Sequence, residues 1–319
     1  MLSFRYMDEY SIGVDLGGTN LRAAAISRSG KILEKIAAGV HPLDGRETLL
    51  AEMTAAIHDL RSRWGTSRMA GIGIGVPGFI LLEEGVVRNS NNLACLEDFP
   101  FRDEMERRLE TKIVLENDAN AAALGEKWMG AGRDVDDLVL FTLGTGIGGG
   151  IISGGKVVHG FLGMAGELGH LTVVPNGNPC GCGNRGCLEK HASATAISAT
   201  ARLMGLGENP TSADVYELAM KGNEHARVVF RSMGEALGIV LATVINIFNF
   251  PLYLLSGGVL AAWDLFAPAM LEEARRRSFT LRTTNTRVEK AILGNEAGLY
   301  GAAYLPWTEA MRTSDVAGH

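Results

Sequence analysis

Cationic side chains are the minority among the charged ones: 30 Lys and Arg stand against 36 Asp and Glu, a formal charge of −6 over 319 residues. An acidic balance with scattered basic residues offers no footprint for a nucleic-acid backbone. The densest basic cluster, Arg275-Arg276-Arg277, reads as the solvated turn of an exposed helix. A secretory pattern is also missing. Arg5, Asp8 and Glu9 stand where an apolar signal core would run, and Asp15 interrupts the first apolar segment, so the expected location is cytoplasmic. Full charges are absent from residues 236–263, a stretch long enough to cross a bilayer. Asn246, Asn249, Pro251 and Ser256-Gly257-Gly258 break it, so the expectation is a helix to about Asn249, then a strand over 252–255, with no membrane partner. Cysteine is scarce. Three of the four fall within eight residues, a spacing that suits a metal rather than a disulfide framework, while Cys95 reads as a packed or loop thiol. Hydrophobic residues at 46% and charged residues at 21% make a globular chain, long enough for two domains.

Glycine-rich turns divide the remainder into short apolar runs. Residues 11–16 form a strand that ends in Gly17-Gly18, and two more strands follow over 21–27 and 31–39. Residues 47–64 carry helical spacing behind Asp44 as the N-cap, 72–76 is a continuous apolar strand ended by Pro77-Gly78, and 118–129 is an Ala-rich helix. The pattern restarts with a strand over 138–143, the turn Gly144-Thr145-Gly146 and a strand over 149–152. Helices dominate from Ser193, strands return at 252–255 and 288–293, and a last helix over about 296–305 is ended by Pro306. Strands alternating with helices predict an α/β fold. Strand–turn–strand units near residues 15 and 143 predict a duplicated architecture, one unit per lobe, with a ligand cleft between lobes.

Five groups of residues can carry chemistry. In Asp15-Leu16-Gly17-Gly18-Thr19-Asn20, adjacent glycines let backbone N–H groups approach a phosphate and Asp15 can hold Mg²⁺; the same run also suits a plain hairpin turn. Residues 143–150 hold the second glycine turn, again a phosphate cradle or a crowded strand turn. Neither is a Gly-Lys-Ser/Thr phosphate loop or a dinucleotide fingerprint. His170, Cys180, Cys182 and Cys187 form a Cys₃His set suited to Zn²⁺, and four protein ligands leave no open position, which makes the zinc structural. Asp118 stands at a strand-to-helix junction between Asn117 and Asn120, where it can take a proton from an attacking hydroxyl or simply cap the helix. Glu167 and Glu189 flank the zinc set, as acceptors for hydroxyl groups or as groups that orient ligands, and the second nitrogen of His170 could bond a hydroxyl.

Together these motifs resemble the ROK family of repressors, open reading frames and kinases. Over 11–306 the family's markers stand in order: Asp15-Leu16-Gly17-Gly18-Thr19, Glu116-Asn117-Asp118-Ala119-Asn120, the 143–150 turn, Gly166-Glu167-Leu168-Gly169-His170, the 180–189 knuckle and Ser256-Gly257-Gly258-Val259. The resemblance implies the two-lobed actin-like, hexokinase-type ATPase fold with a structural zinc knuckle. Residues 1–118 would form a small lobe with a C-terminal helix (about 296–307) packed back on it, 119–295 the large lobe carrying the knuckle, and 308–319 a disordered tail. It also implies roles. Asp118 would be the general base on a sugar 6-hydroxyl, with Gly78, Asn117, Glu167, His170 and Glu189 around the sugar. Asp15, Gly17, Gly18, Thr19, Asn20, Gly144, Thr145 and Gly146 would hold the phosphates of ATP with Mg²⁺, and Gly257 and Gly258 would lie near its nucleoside. Glucose is the first expected acceptor, N-acetylmannosamine or N-acetylglucosamine the alternative. A repressor or sensor is the remaining possibility, disfavoured because no helix-turn-helix precedes the first strand. The expected assembly is a homodimer or homotetramer.

Overall fold

Alternating small and branched residues decide how the first sheet is covered. The computed structural model describes residues 9–18, 20–40, 44–90 and 93–316, without the side chains of Asn89 and 309–316. Strands β1 (Tyr10–Leu16), β2 (Asn20–Ser27) and β3 (Ile32–Gly39) form an antiparallel meander. Helix α1 (Arg46–Trp64), β4 (Met69–Val76), the small hairpin β5 (Phe79–Leu81) and β6 (Val86–Asn89), α2 (Phe101–Leu109), β7 (Ile113–Asn117) and α3 (Asp118–Trp128) follow. Next come β8 (Leu138–Leu143), β9 (Ile147–Ser153), β10 (Lys156–Val157), α4 (Glu189–Ala192), α5 (Ala194–Leu203), α6 (Ser212–Met220) and α7 (Glu224–Phe248). The chain closes with β11 (Leu252–Ser256), α8 (Trp263–Arg277), β12 (Arg287–Lys290) and α9 (Ala297–Val316).

The chain divides into two compact units. One holds the described residues up to Asp136 with Gly150–Ala165 and those from Asn295 on; the other holds Asp137–Gly149 and Gly166–Gly294. The orders of the two five-stranded sheets match: β3-β2-β1-β4-β7 and β10-β9-β8-β11-β12, the last two strands of each parallel to its central strand. That correspondence is the duplication expected from the two glycine turns. The division does not fall at residue 118, because α3 stays with the first unit, held by α9. A β-carbon on Gly125 would collide with Ala297 O, and one on Gly301 with Ala121 O, so the two helix backbones touch.

In the first sheet Ile12, Val14, Ile72 and Ile74 face the core shared with Leu49, Leu50, Met53, Ile57 and Leu60 of α1. Gly13 and Gly73 point the other way, where a β-carbon would strike Leu299 O or Ala302 O of α9. Residues 72–76 are therefore not uniformly apolar wall but isoleucine on one face and glycine on the other.

Three local expectations are corrected. Gly45, at φ 91°, occupies the N-cap of α1, and Asp44 contributes only its carbonyl, to Thr48 Oγ1 at 3.1 Å. Pro306 does not end the last helix, which runs on to Val316. Its ring lies over Gly71, and Ala302 O, which has no proline N–H to accept, faces Gly73, so the proline sits where helix and sheet backbones come closest. The expected disordered tail is thus helical over 308–316, and 317–319 lie outside the described residues.

In the second unit, α7 is long and apolar enough to cross a membrane, yet most of its apolar window is buried. It packs on α8 at close range, since β-carbons on Gly234 and Gly238 would meet Phe266 O and Met270 O. Asn249 stops α7 in the left-handed conformation (φ 50°), and β11 begins three residues later, as the break at Asn249 and Pro251 predicts.

Candidate active site

In the first unit the candidates gather at the carboxyl ends of three parallel strands, where α/β sheets bind ligands. Register sets Asp15 beside Gly75, Gly75 beside Glu116, and Val76 beside Asn117. At the β7–α3 corner the two readings of Asp118 separate. The cap is Asn117, whose Oδ1 accepts the N–H groups of Ala119 (2.9 Å) and Asn120 (3.2 Å). Asp118 takes the first helical position, with Ala119 N–H donated to its Oδ1 at 2.8 Å. Asn117 Nδ2 also donates to Gly78 O at 3.1 Å. Gly78, at φ 111°, is in backbone space that only glycine enters without strain, which brings its carbonyl to the corner.

At the end of β1, Gly17 N–H donates to Asn20 O at 2.8 Å and closes the turn around Gly18; Thr19 lies outside the described residues. Burial raises the Asp15 carboxyl above its ordinary range, and Arg22, 3.3 Å away, opposes that rise. Arg22 also donates to Asn295 O at 2.7 Å, and a β-carbon on Gly298 would lie 2.9 Å from Asp15 Oδ1, so the start of α9 closes over this carboxylate.

In the second unit Gly144 and Gly257 follow the parallel strands β8 and β11, in which Thr142 is registered with Ser256. Gly257 (φ 102°) presses on the Leu143 backbone, so the two glycine turns touch; Gly258 opens the 3-10 turn that leads to α8. The first turn is braced by Gly144 N–H to Gly146 O (3.0 Å), Ala194 N–H to Gly144 O (2.9 Å) and Thr195 Oγ1 to Thr145 O (2.8 Å). Glu189 reaches the same turn: its Oε2 accepts Ile147 N–H at 3.1 Å and fills the space a β-carbon on Gly146 would need. Glu167 lies near both other acceptors. Its Oε2 is 3.9 Å from His170 Nε2, and burial raises its carboxyl, with His170 opposing and Glu189 adding to the rise.

His170, Cys180, Cys182 and Cys187 bring their ligand atoms within 4.8 Å of one another. Cys180 Sγ is 3.6 Å from His170 Nδ1, and Cys182 Sγ is 3.7 Å from Cys187 Sγ. A tetrahedral zinc with bonds of about 2.3 Å to sulfur and about 2.0 Å to nitrogen sets a sulfur–nitrogen edge of about 3.5 Å and a sulfur–sulfur edge of about 3.8 Å. The donor set therefore fits the ion, and His170 turns its other nitrogen toward Glu167. Burial pushes the Cys187 thiol up to about 12, whereas the Asn184 backbone N–H lowers that of Cys182. Bound metal would overcome the first of these by holding all three sulfurs as thiolates.

Three residues of this region carry no role in the sequence reading. Arg22 pairs with Asp15. Glu116, 3% exposed, accepts Asn117 N–H (2.9 Å) and Asn120 Nδ2 (3.1 Å) on Oε1 and meets His159 Nε2 at 2.6 Å with Oε2. Glu116 was visible in the Glu-Asn-Asp-Ala-Asn run; nothing local marks His159, 43 residues away.

The family model described as "ROK family" matches residues 11–309. A glucokinase of Thermotoga maritima is 36% identical over 92% of this chain and 95% of its own. Among solved structures, the ROK hexokinase from Thermus thermophilus matches with TM-score 0.86 and 34% identity, over 95% of this chain and 99% of that one. A ROK family glucokinase from Streptomyces griseus in complex with glucose and AMPPNP matches with TM-score 0.76 and 34% identity, over 93% and 98%. With the site motifs in family order and a match over nearly its whole length, the chain belongs to the ROK family.

Proposed function

We propose that this protein is an ATP-dependent hexokinase that transfers the γ-phosphoryl group of ATP to the 6-hydroxyl of glucose. The observation that carries the reading is the β7–α3 corner: Asn117 takes the capping duty, and Asp118 stands beside it at the helix N-terminus. A carboxylate at that position is suited to accept the proton of an attacking hydroxyl. The likeness to glucokinases along nearly the whole chain supports glucose as the acceptor.

Asp118 orients the hydroxyl and accepts its proton as the bond to phosphorus forms. Gly78, Asn117, Glu167, His170 and Glu189 are the residues assigned to the remaining sugar hydroxyls. Amides of the turns at Gly17-Gly18 and 144–146, with Thr19 and Asn20, hold the phosphates, and Gly257-Gly258 adjoin the nucleoside. Phosphoryl transfer passes through a loose transition state, so these positioning and charge-stabilising groups supply most of the rate. Mg²⁺ brought by ATP would neutralise phosphate charge, and Asp15, paired with Arg22, is the residue that would hold it. His170, Cys180, Cys182 and Cys187 would hold zinc, which would fix the knuckle from which Glu189 projects.

The test is ADP release by purified, zinc-replete protein with ATP and Mg²⁺, offered glucose, mannose, fructose, allose, N-acetylglucosamine and N-acetylmannosamine. Glucose should give the highest kcat/KM. A higher value for an N-acetylhexosamine would reassign the acceptor, and silence across the panel from folded protein would sink the kinase reading.

A further inference from the structure

Glu116 connects the catalytic corner to a distant part of the chain. Its side chain is 3% exposed, and a carboxylate so far from water must be met by donors on both oxygens. Oε1 takes the backbone N–H of Asn117 and the side-chain amide of Asn120, the residues on either side of the Asp118-Ala119 step. Oε2 is held by His159 Nε2 at 2.6 Å. One face of the carboxylate thus grips the turn that carries Asp118, and the other is gripped by the imidazole.

The backbone that carries the imidazole is itself fixed in place. Val158 N–H donates to Ile151 O at 2.9 Å, Ala165 N–H donates to His159 O at 3.0 Å, and Gly160 at φ 64° turns the chain away. On its open side lies a cavity of about 860 Å³, walled by Leu81, Ile113, Leu124, Leu162 and Tyr304 and bordered by both Glu116 and His159.

We infer that His159 is a positioning residue for phosphoryl transfer: it holds Glu116, and through Glu116 it sets where Asp118 meets the sugar hydroxyl. The inference rests on the hexokinase reading above. Without the His159 N–H, Oε2 of a buried carboxylate loses its donor and turns toward the cavity, and Oε1 draws the Asn117 and Asn120 donors with it. A displacement of about 1 Å at such a site can cost about 100-fold in rate.

The test compares His159→Leu, His159→Gln and His159→Ala with the unsubstituted protein, measuring kcat and the KM values for sugar and ATP. Loss of positioning lowers kcat/KM for sugar by about 10- to 100-fold in His159→Leu while KM for ATP stays within about 2-fold. His159→Gln, whose amide can present an N–H near the Nε2 position, recovers most of the loss. Free imidazole, entering through the cavity, partly restores His159→Ala, and this arm decides the matter if His159→Leu does not fold. A purely structural role would lower the melting temperature and the active fraction, leave sugar KM unmoved and give no rescue by glutamine or imidazole; that pattern would overturn the inference, as would unchanged kinetics in His159→Leu. Activity in the unsubstituted protein with either pattern rejects the role of His159 alone, whereas silence of the unsubstituted protein rejects the kinase reading and this inference with it.

Discussion

Glu189 Oε2 accepts the backbone N–H of Ile147 at 3.1 Å, which ties the residue two positions beyond Cys187 to the strand that leaves the glycine turn. The knuckle and the phosphate turn are therefore one mechanical piece within the second unit. Glu189→Gln keeps an acceptor for Ile147 and loses the charge, so sugar KM should rise while ATP affinity holds within about 2-fold. Glu189→Ala also loses the brace, and both should weaken, by about 10- to 100-fold for a lost charge-assisted hydrogen bond. Calorimetric titration with sugar and with a non-hydrolysable ATP analogue separates the two, and equal effects of Gln and Ala on ATP binding would dismiss the brace.

Asn117 caps the helix without help from Asp118, the residue proposed for proton transfer. Asp118→Asn should therefore fold normally and bind sugar with near-native affinity, yet lose about 10²- to 10⁴-fold in kcat. Turnover within a few-fold of the unsubstituted protein would take Asp118 out of its role.

The Cys₃His set should carry one zinc per chain, measurable by elemental analysis. Cys187 is fully buried among the ligand atoms, so Cys187→Ser should lose the metal and lower the melting temperature. Sugar KM should rise with it, because Glu189 and Glu167 lose their anchor. A metal-free protein of unchanged stability and sugar affinity would contradict a structural zinc.

Asp15 makes stability depend on pH in a defined direction. Burial raises its carboxyl in the folded state, against the opposing pull of Arg22, so between the unfolded and folded values the native protein binds more proton than the unfolded chain. Stability contributed by the protonated acid is present at low pH and declines as pH rises through that window. Relative to Asp15→Asn, the unsubstituted protein should thus lose stability from about pH 4 upward, as read by denaturant midpoints at several pH values. A difference that grows the other way would mean that Arg22 outweighs burial.

Much of the site could be read along the chain because its chemistry is local. The Cys180–Cys187 knuckle, the Asn117-Asp118 corner and the glycine turns each lie within a few residues, and glycine pairs or clustered thiols have few other uses. The strand–turn–strand repeat was legible for the same reason, and the matching sheet orders bear it out. What stayed hidden depends on partners distant in sequence. The glycines at 13, 71 and 73 have no visible purpose in their strands until α9 is laid against them, and Pro306 looks like a stop until its ring is seen over Gly71.

From sequence alone came the residue types able to bind phosphate, metal and hydroxyl groups, and their order along the chain, since those follow from side-chain chemistry at short spacing. Only the tertiary structure decided that Asn117 is the cap and that the Asp118 carboxylate is left available to chemistry, that Arg22 holds Asp15, that Glu189 braces the Ile147 turn, and that His159 reaches Glu116. Each of these is a hydrogen bond or ion pair whose geometry is set by folded backbone, and no periodicity in the chain encodes such a meeting.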